Sequence, residues 1–224
     1  MIQFKAENKI ICVYPCEKAN KPVIYLNTYG SEGGSVYDEL LKIGCSDFNL
    51  VTVSGFEWNR DMAPWNCPPV MKNSGAFTGG ADDYLSLLIQ RIVPAAEKKI
   101  NGSPVWRGIA GYSLGGLFAV YSLYKTDLFS RAASVSGSLW FPGMKEFVFN
   151  NKLKAKPDFL YFSLGSKESK TRNQYLKTVE QTTRDIEGFY RFCGIKTVFE
   201  LNPGNHFQNS AQRTARSVYC LVNN

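Results

Sequence analysis

The chain has 224 residues, 44% apolar and 14% aromatic, with 26 lysines and arginines against 19 acids and a net charge of +7. That composition excludes a disordered chain, and the length suits one domain spanning residues 1–224. The basic residues are spread in pairs and alternations such as Lys98-Lys99 and Lys152, Lys154, Lys156, the pattern of a solvated face and not of a nucleic-acid footprint.

The opening MIQFKAENKIICVYP has no basic segment followed by a long apolar run, so the expected location is the cytoplasm. Lys9 to Tyr14 reads as an early strand, and Val23 to Asn27 as a central one closed by Thr28-Tyr29-Gly30. A helix over Ser35 to Ile43 and a strand over Phe48 to Val53 follow. Gly55 to Thr78 is the least regular part, rich in proline and aromatics; a loop that long in a compact domain points to function. A helical pattern runs from Asp82 to Lys99, with Pro94 predicting a kink or a break.

Val105 to Ala110 is a short apolar run, Gly111-Tyr112-Ser113-Leu114-Gly115 a tight turn, and Leu117 to Tyr124 an apolar helix. Strand, Gly-x-Ser-x-Gly and helix make the nucleophile elbow of an α/β-hydrolase. The Leu117–Tyr124 run is also too short to cross a bilayer, so no membrane contact is expected. Strands then recur at Ala132–Ser136, Phe159–Leu164 and Lys196–Leu201, and helices at Gln174–Phe192 and Gln208–Leu221. The alternation predicts a mostly parallel central sheet with helices on both faces. Six scattered cysteines, with no CxxC pair, read as reduced thiols and build no metal site.

The chemistry of an elbow serine needs a base and an acid behind it. His206 is the only histidine, in the loop Asn202-Pro203-Gly204-Asn205-His206 after the last strand, late in the chain as the α/β-hydrolase order requires. The acids between them are Asp127, Glu146, Asp158, Glu168, Glu180, Asp185, Glu187 and Glu200. Asp127 lies about a dozen residues, ~18 Å, down the elbow helix. Glu180, Asp185 and Glu187 belong to a helix face expected in solvent, Asp158 precedes its strand and Glu200 lies within one. Glu168 follows a strand at the edge where ligands gather, and is the expected acid. The oxyanion hole is expected from the N–H of Leu114 and a second donor at Tyr29 or Gly30. Trp58 and Arg60 in the irregular segment, and Trp140 after Ala132–Ser136, are candidate substrate contacts.

The pieces YLNTYG, RDMAPW, GGADDYL, GYSLGG, SGSLW, LGSKE and PGNHF resemble, in order and over nearly the whole chain, the α/β-hydrolase esterases that include esterase D, feruloyl esterases and enterobactin-type siderophore esterases. One departure is Thr28-Tyr29, where that family has His-Gly or Asp-Gly in the oxyanion loop. The resemblance implies a carboxylic-ester hydrolase that needs no cofactor, with Ser113 as nucleophile, His206 as base and Glu168 as acid. The same residues would serve an acyltransferase or a thioesterase, and the fold could also carry a silent binding protein. The expected partner is a small-molecule ester, tilted towards anionic esters by the basic balance. Neither oligomeric state nor the particular ester is legible here.

Overall fold

The computed structural model describes residues 1–70 and 75–224; residues 71–74, part of the irregular Gly55–Thr78 stretch, lie outside the described residues. In chain order the first half contributes β1 (Ile2–Ala6), β2 (Lys9–Tyr14), β3 (Val23–Asn27), α1 (Glu32–Lys42) and β4 (Asn49–Ser54). Then come a single turn α2 (Trp58–Asp61), a small ribbon of β5 (Asn66–Cys67) and β6 (Phe77–Thr78), and α3 (Ala81–Leu87). A π-helical turn at Leu88–Ile92 leads into α4 (Val93–Glu97), followed by β7 (Arg107–Tyr112), α5 (Leu114–Ser122) and β8 (Arg131–Val135). The rest is α6 (Met144–Asn150), β9 (Phe159–Gly165), α7 (Val179–Phe192), β10 (Lys196–Asn202) and α8 (Ser210–Asn223).

Eight strands form one sheet in the order β1-β2-β4-β3-β7-β8-β9-β10. Only the β1–β2 and β2–β4 pairs are antiparallel; the others run parallel. Successive side chains of a strand point to opposite faces, so each central strand feeds two cores. On β3, Ile24 and Leu26 pack with Val36 and Leu40 of α1 and with Ala215, Val218 and Leu221 of α8. Val23 and Tyr25 pack on the other face with residues of α3, α4, α5 and α7. Every residue of β3 is buried, and so is every residue of α5. An apolar run with no polar stripe is stable only where it is enclosed on all sides. The α/β-hydrolase expectation, a mostly parallel sheet covered on both faces, holds.

The structure changes or adds to the sequence reading in four places. The helical pattern is interrupted at Pro94 as expected: a π-helical turn separates α3 from α4 and widens the backbone where the ring would strike the preceding turn, and Pro94 lies in the first turn of α4. Glu187, expected in solvent, is 8% exposed and accepts from the Thr197 hydroxyl of β10. Strand β1 and helix α6 were not anticipated; β1 is an exposed edge strand whose partner β2 supplies the register. The long irregular segment contains α2, held by a buried ion pair between Lys9 and Asp61 at 2.8 Å. Asp61 also accepts the Glu57 N–H at 3.1 Å, which fixes the turn that carries Trp58. Among the described residues, no helix is long and apolar enough to cross a membrane.

Candidate active site

The chain leaves β3 for β4 on one side and returns to β7 on the other, so the order reverses between β3 and β7. Such a switch point opens a crevice at the carboxyl ends of the strands. The loop after β3, the elbow after β7, and the loops after β9 and β10 all meet there.

Ser113 sits between β7 and α5 with φ 58° and ψ −122°, a conformation a side chain adopts only when the surroundings impose it. They do: the Ser113 N–H donates to the Val135 carbonyl at 3.0 Å, and the Ser113 carbonyl accepts from Ser138 at 3.0 Å and from Gly116 at 3.0 Å. The turn is so tight that a Cβ on Gly111 would lie 2.3 Å from the carbonyl carbon of Gly115. Glycine is therefore a steric requirement at that position, as the motif implied.

Glu168 lies three residues past Gly165, at the end of β9. Its turn is stitched to the β10 loop, with Ser166 N–H on the Asn202 carbonyl at 2.8 Å and Lys167 N–H on that of Gly204 at 3.0 Å. There is no room for a side chain where the two loops meet, since a Cβ on Gly165 would come within 2.6 Å of the Gly204 oxygen. His206 projects from the second of these loops, its carbonyl receiving the Tyr112 hydroxyl at 2.7 Å.

These backbones bring three side chains into line. The His206 ring meets Ser113 Oγ through Nε2 at 3.1 Å and Glu168 Oε2 through Nδ1 at 2.8 Å. A carboxylate only accepts, so Nδ1 carries the proton and Nε2 offers its lone pair to the serine hydroxyl. The other carboxylate oxygen, Oε1, accepts from the Ser136 hydroxyl at 2.7 Å, the Gly165 N–H at 2.5 Å and Arg213 Nη1 at 3.3 Å. The Glu168 side chain is 4% exposed. Burial pushes its carboxyl up, but hydrogen bonds and charge from His206, then the Gly165 N–H and Ser136 hydroxyl, outweigh burial and hold it below the ordinary range.

Arg213, on α8, has no counterpart in the motifs. It is 3% exposed and ties the site together: besides Glu168 it donates to Ser136 Oγ at 3.1 Å, Tyr112 Oη at 3.2 Å and the Pro203 carbonyl at 3.0 Å. One guanidinium thus holds the acid, the strand before the serine and the loop before the histidine. An isolated arginine in an amphipathic helix reads as solvent-facing, so no local signal singled it out. Ser136 was within the SGSLW piece but had no assigned role; its φ of 45° turns the hydroxyl towards Glu168.

The crevice is a cleft of about 340 Å³, lined by Leu26, Val36 and Ala211 below and by Tyr29, Glu32, Trp58, Ser113, His206 and Phe207 nearer its mouth. Trp58 is thus at the cleft, edge-on to Tyr29 at 5.4 Å. Arg60 is not: its guanidinium is held by Asp61 at 3.0 Å and Asp83 at 2.5 Å, beside a separate cavity. Trp140 packs against Phe141 on the core and is not part of the cleft lining. The Gly30 N–H, one of the two alternatives expected for the second oxyanion donor, is already engaged by Glu32 Oε2 at 2.6 Å. Among the described residues, no group of three or more His, Cys, Asp or Glu side chains is arranged to hold a metal.

Known proteins share this architecture. The structure resembles the siderophore hydrolase EstA from Aspergillus nidulans with a TM-score of 0.77 at 18% identity, over 99% of this chain and 93% of that one. It resembles an IroE-like serine hydrolase from Shewanella oneidensis with a TM-score of 0.75 at 20% identity, over 96% and 75%. In sequence, YbbA of Bacillus subtilis (strain 168), an uncharacterised protein, is 24% identical over 184 residues, 77% of this chain and 72% of that one. The family model described as Putative esterase matches residues 33–184, from α1 through the elbow to α7, and the chain belongs to that family of carboxylic-ester hydrolases.

Proposed function

We propose that the protein hydrolyses small-molecule esters through an acyl-enzyme on Ser113, with His206 as general base and Glu168 as the orienting acid. The observation that carries this reading is the unbroken chain from Ser113 Oγ through the His206 ring to Glu168, at 3.1 and 2.8 Å. His206 Nε2 takes the hydroxyl proton as Ser113 Oγ bonds to the ester carbon. The same proton then goes to the departing alcohol as the ester C–O bond breaks. Water, deprotonated by His206, attacks the acyl-enzyme, and the proton returns to Ser113 as the acid leaves. The imidazolium formed in each half faces the Glu168 carboxylate, which lowers the energy of that charge.

The developing oxyanion is stabilised by the N–H groups of Leu114 and Tyr29. Leu114 is the first residue of α5, where no intrahelical acceptor exists and the helix dipole favours negative charge. Tyr29 lines the cleft beside Ser113. Gly30 would first have to release Glu32. Tyr29→Pro, which deletes one N–H, is expected to lower kcat about 10²- to 10³-fold. Gly30→Ala alters the same loop while keeping both N–H groups, since a Cβ there meets only the Glu32 carboxylate, nearest at 3.5 Å, and is expected to lose far less. Equal losses in the two variants would remove Tyr29 from the oxyanion hole.

Siderophore-type esters are the substrate class favoured by the neighbour EstA, a siderophore hydrolase. The cleft, about 340 Å³ with an apolar floor, suits a single ester arm of such a molecule. Turnover of 4-nitrophenyl acetate tests the general reading, together with a fluorophosphonate label that maps to Ser113 and is lost in His206→Ala. A protein inert to both reagents would overturn it. Rates on short acyl, feruloyl and trilactone esters then decide the substrate class.

A further inference from the structure

The protein carries +7 overall, yet among the described residues no lysine or arginine lines the cleft, and Glu32 is the one carboxylate that does. Glu168 lies behind His206 and is compensated by Arg213. Glu32 has no basic partner within ion-pair distance among the described residues. It sits in the first turn of α1, where the helix dipole favours an anion. One of its oxygens, Oε2, is fixed by the Gly30 N–H at 2.6 Å. Among the described residues, the second oxygen has no such bond.

Two aromatic rings complete the surroundings. Tyr29 is 71% exposed and stands perpendicular to Trp58, at 90° and 5.4 Å, and both line the cleft with Glu32. Aromatic faces attract cations through their quadrupole, and rings that share a cleft with a carboxylate offer an alkylammonium group both kinds of contact. A carboxylate substituent on the substrate would meet the opposite: an anion, and no cation to pair with.

We propose that Glu32, Tyr29 and Trp58 form a subsite for a cationic ammonium group, selecting esters that carry a protonated or quaternary amine and rejecting those that carry a carboxylate. The subsite reverses the preference suggested by the net charge, because a substrate in the cleft meets the nearest charges before the distant, screened ones. As a statement about substrate it rests on the proposed ester hydrolysis; as a binding site it does not.

The test has two arms. In the first, choline is titrated against the protein by tryptophan fluorescence, with succinate as the anionic control. Saturable binding of choline is expected in the wild type and in Ser113→Ala, weakened about fivefold in Glu32→Gln and by 0.5 M salt. Glutamine keeps an acceptor for the Gly30 N–H, so a change on this substitution reports the charge and not the loop. In the second arm, kcat/KM is compared for acetylcholine and its uncharged isostere 3,3-dimethylbutyl acetate. The wild type is expected to favour acetylcholine about fivefold, through KM, with the ratio falling towards one in Glu32→Gln. Choline that fails to bind, or binds equally to Glu32→Gln, overturns the subsite whatever the enzyme hydrolyses. Choline binding in a protein that turns over neither of these esters nor 4-nitrophenyl acetate, and takes no fluorophosphonate label, overturns the hydrolytic reading and leaves the subsite standing.

Discussion

Ser113→Ala is expected to reduce turnover of 4-nitrophenyl acetate by on the order of 10⁶-fold and to abolish fluorophosphonate labelling. The size follows from the proposed mechanism: without the hydroxyl there would be no acyl-enzyme, and only the oxyanion donors and binding contacts would remain to act on water. Alanine leaves the elbow as it is, because the bonds that impose φ 58° use the backbone of Ser113 and not its side chain. Ser113→Gly should be equally inactive but more stable, by about 1 kcal/mol, since glycine adopts that φ without strain. Urea unfolding of the two variants separates the strain from the chemistry. An alanine variant retaining a hundredth of the wild-type rate would exclude Ser113 as the nucleophile.

Glu168→Gln is the second large effect, and it should appear in both activity and stability. A glutamine amide can donate to His206 Nδ1, which favours the tautomer with the proton on Nε2. That nitrogen could then no longer accept from Ser113. A loss in kcat of about 10⁴ is expected for an acid that fixes the tautomer; a rate nearly unchanged would mean that Ser113 and His206 act as a dyad. The same substitution leaves Arg213, 3% exposed, beside a neutral amide. Breaking a buried ion pair by removing one partner costs about 3–5 kcal/mol.

The pH dependence of that cost has a definite sign. Burial works against the Glu168 charge, but His206, the Gly165 N–H and Ser136 hold its carboxyl below the ordinary range. Its contribution is therefore present above the unfolded carboxyl value of about 4.3 and is lost as pH falls through the lower folded value. The stability gap between wild type and Glu168→Gln should be widest near neutral pH and close at acid pH. Urea midpoints measured from pH 7 to pH 3 check this; a gap that grows towards acid would contradict it.

Much of this site is readable from local signals. The elbow is legible because its geometry demands particular residues at fixed spacing: a glycine where two backbones touch, and a serine at the turn. His206 could be found because the chain has no other histidine and this one follows the last strand of a parallel sheet. Glu168 could be chosen over seven other acids because strand ends, and not helix faces, meet at the crevice. Arg60 illustrates the limit. An arginine in an irregular, aromatic-rich loop looks like a substrate contact, and nothing local says that Asp83, far along the chain, neutralises it. Glu187 fails for the same reason in reverse, since its burial depends on Thr197 of another element.

The sequence by itself determined the alternation of strands and helices, the elbow, and the types of residue available for hydrolysis, because these depend on periodicity and on steric rules that act within a few residues. Only the tertiary structure decided which groups share one space. Arg213 reaches Glu168 from α8, and Glu32 occupies the Gly30 N–H and places a carboxylate at the cleft of a basic protein. Those outcomes depend on distances between elements remote in the chain, and electrostatic and hydrogen-bond energies fall too steeply with distance to be read from residue order alone.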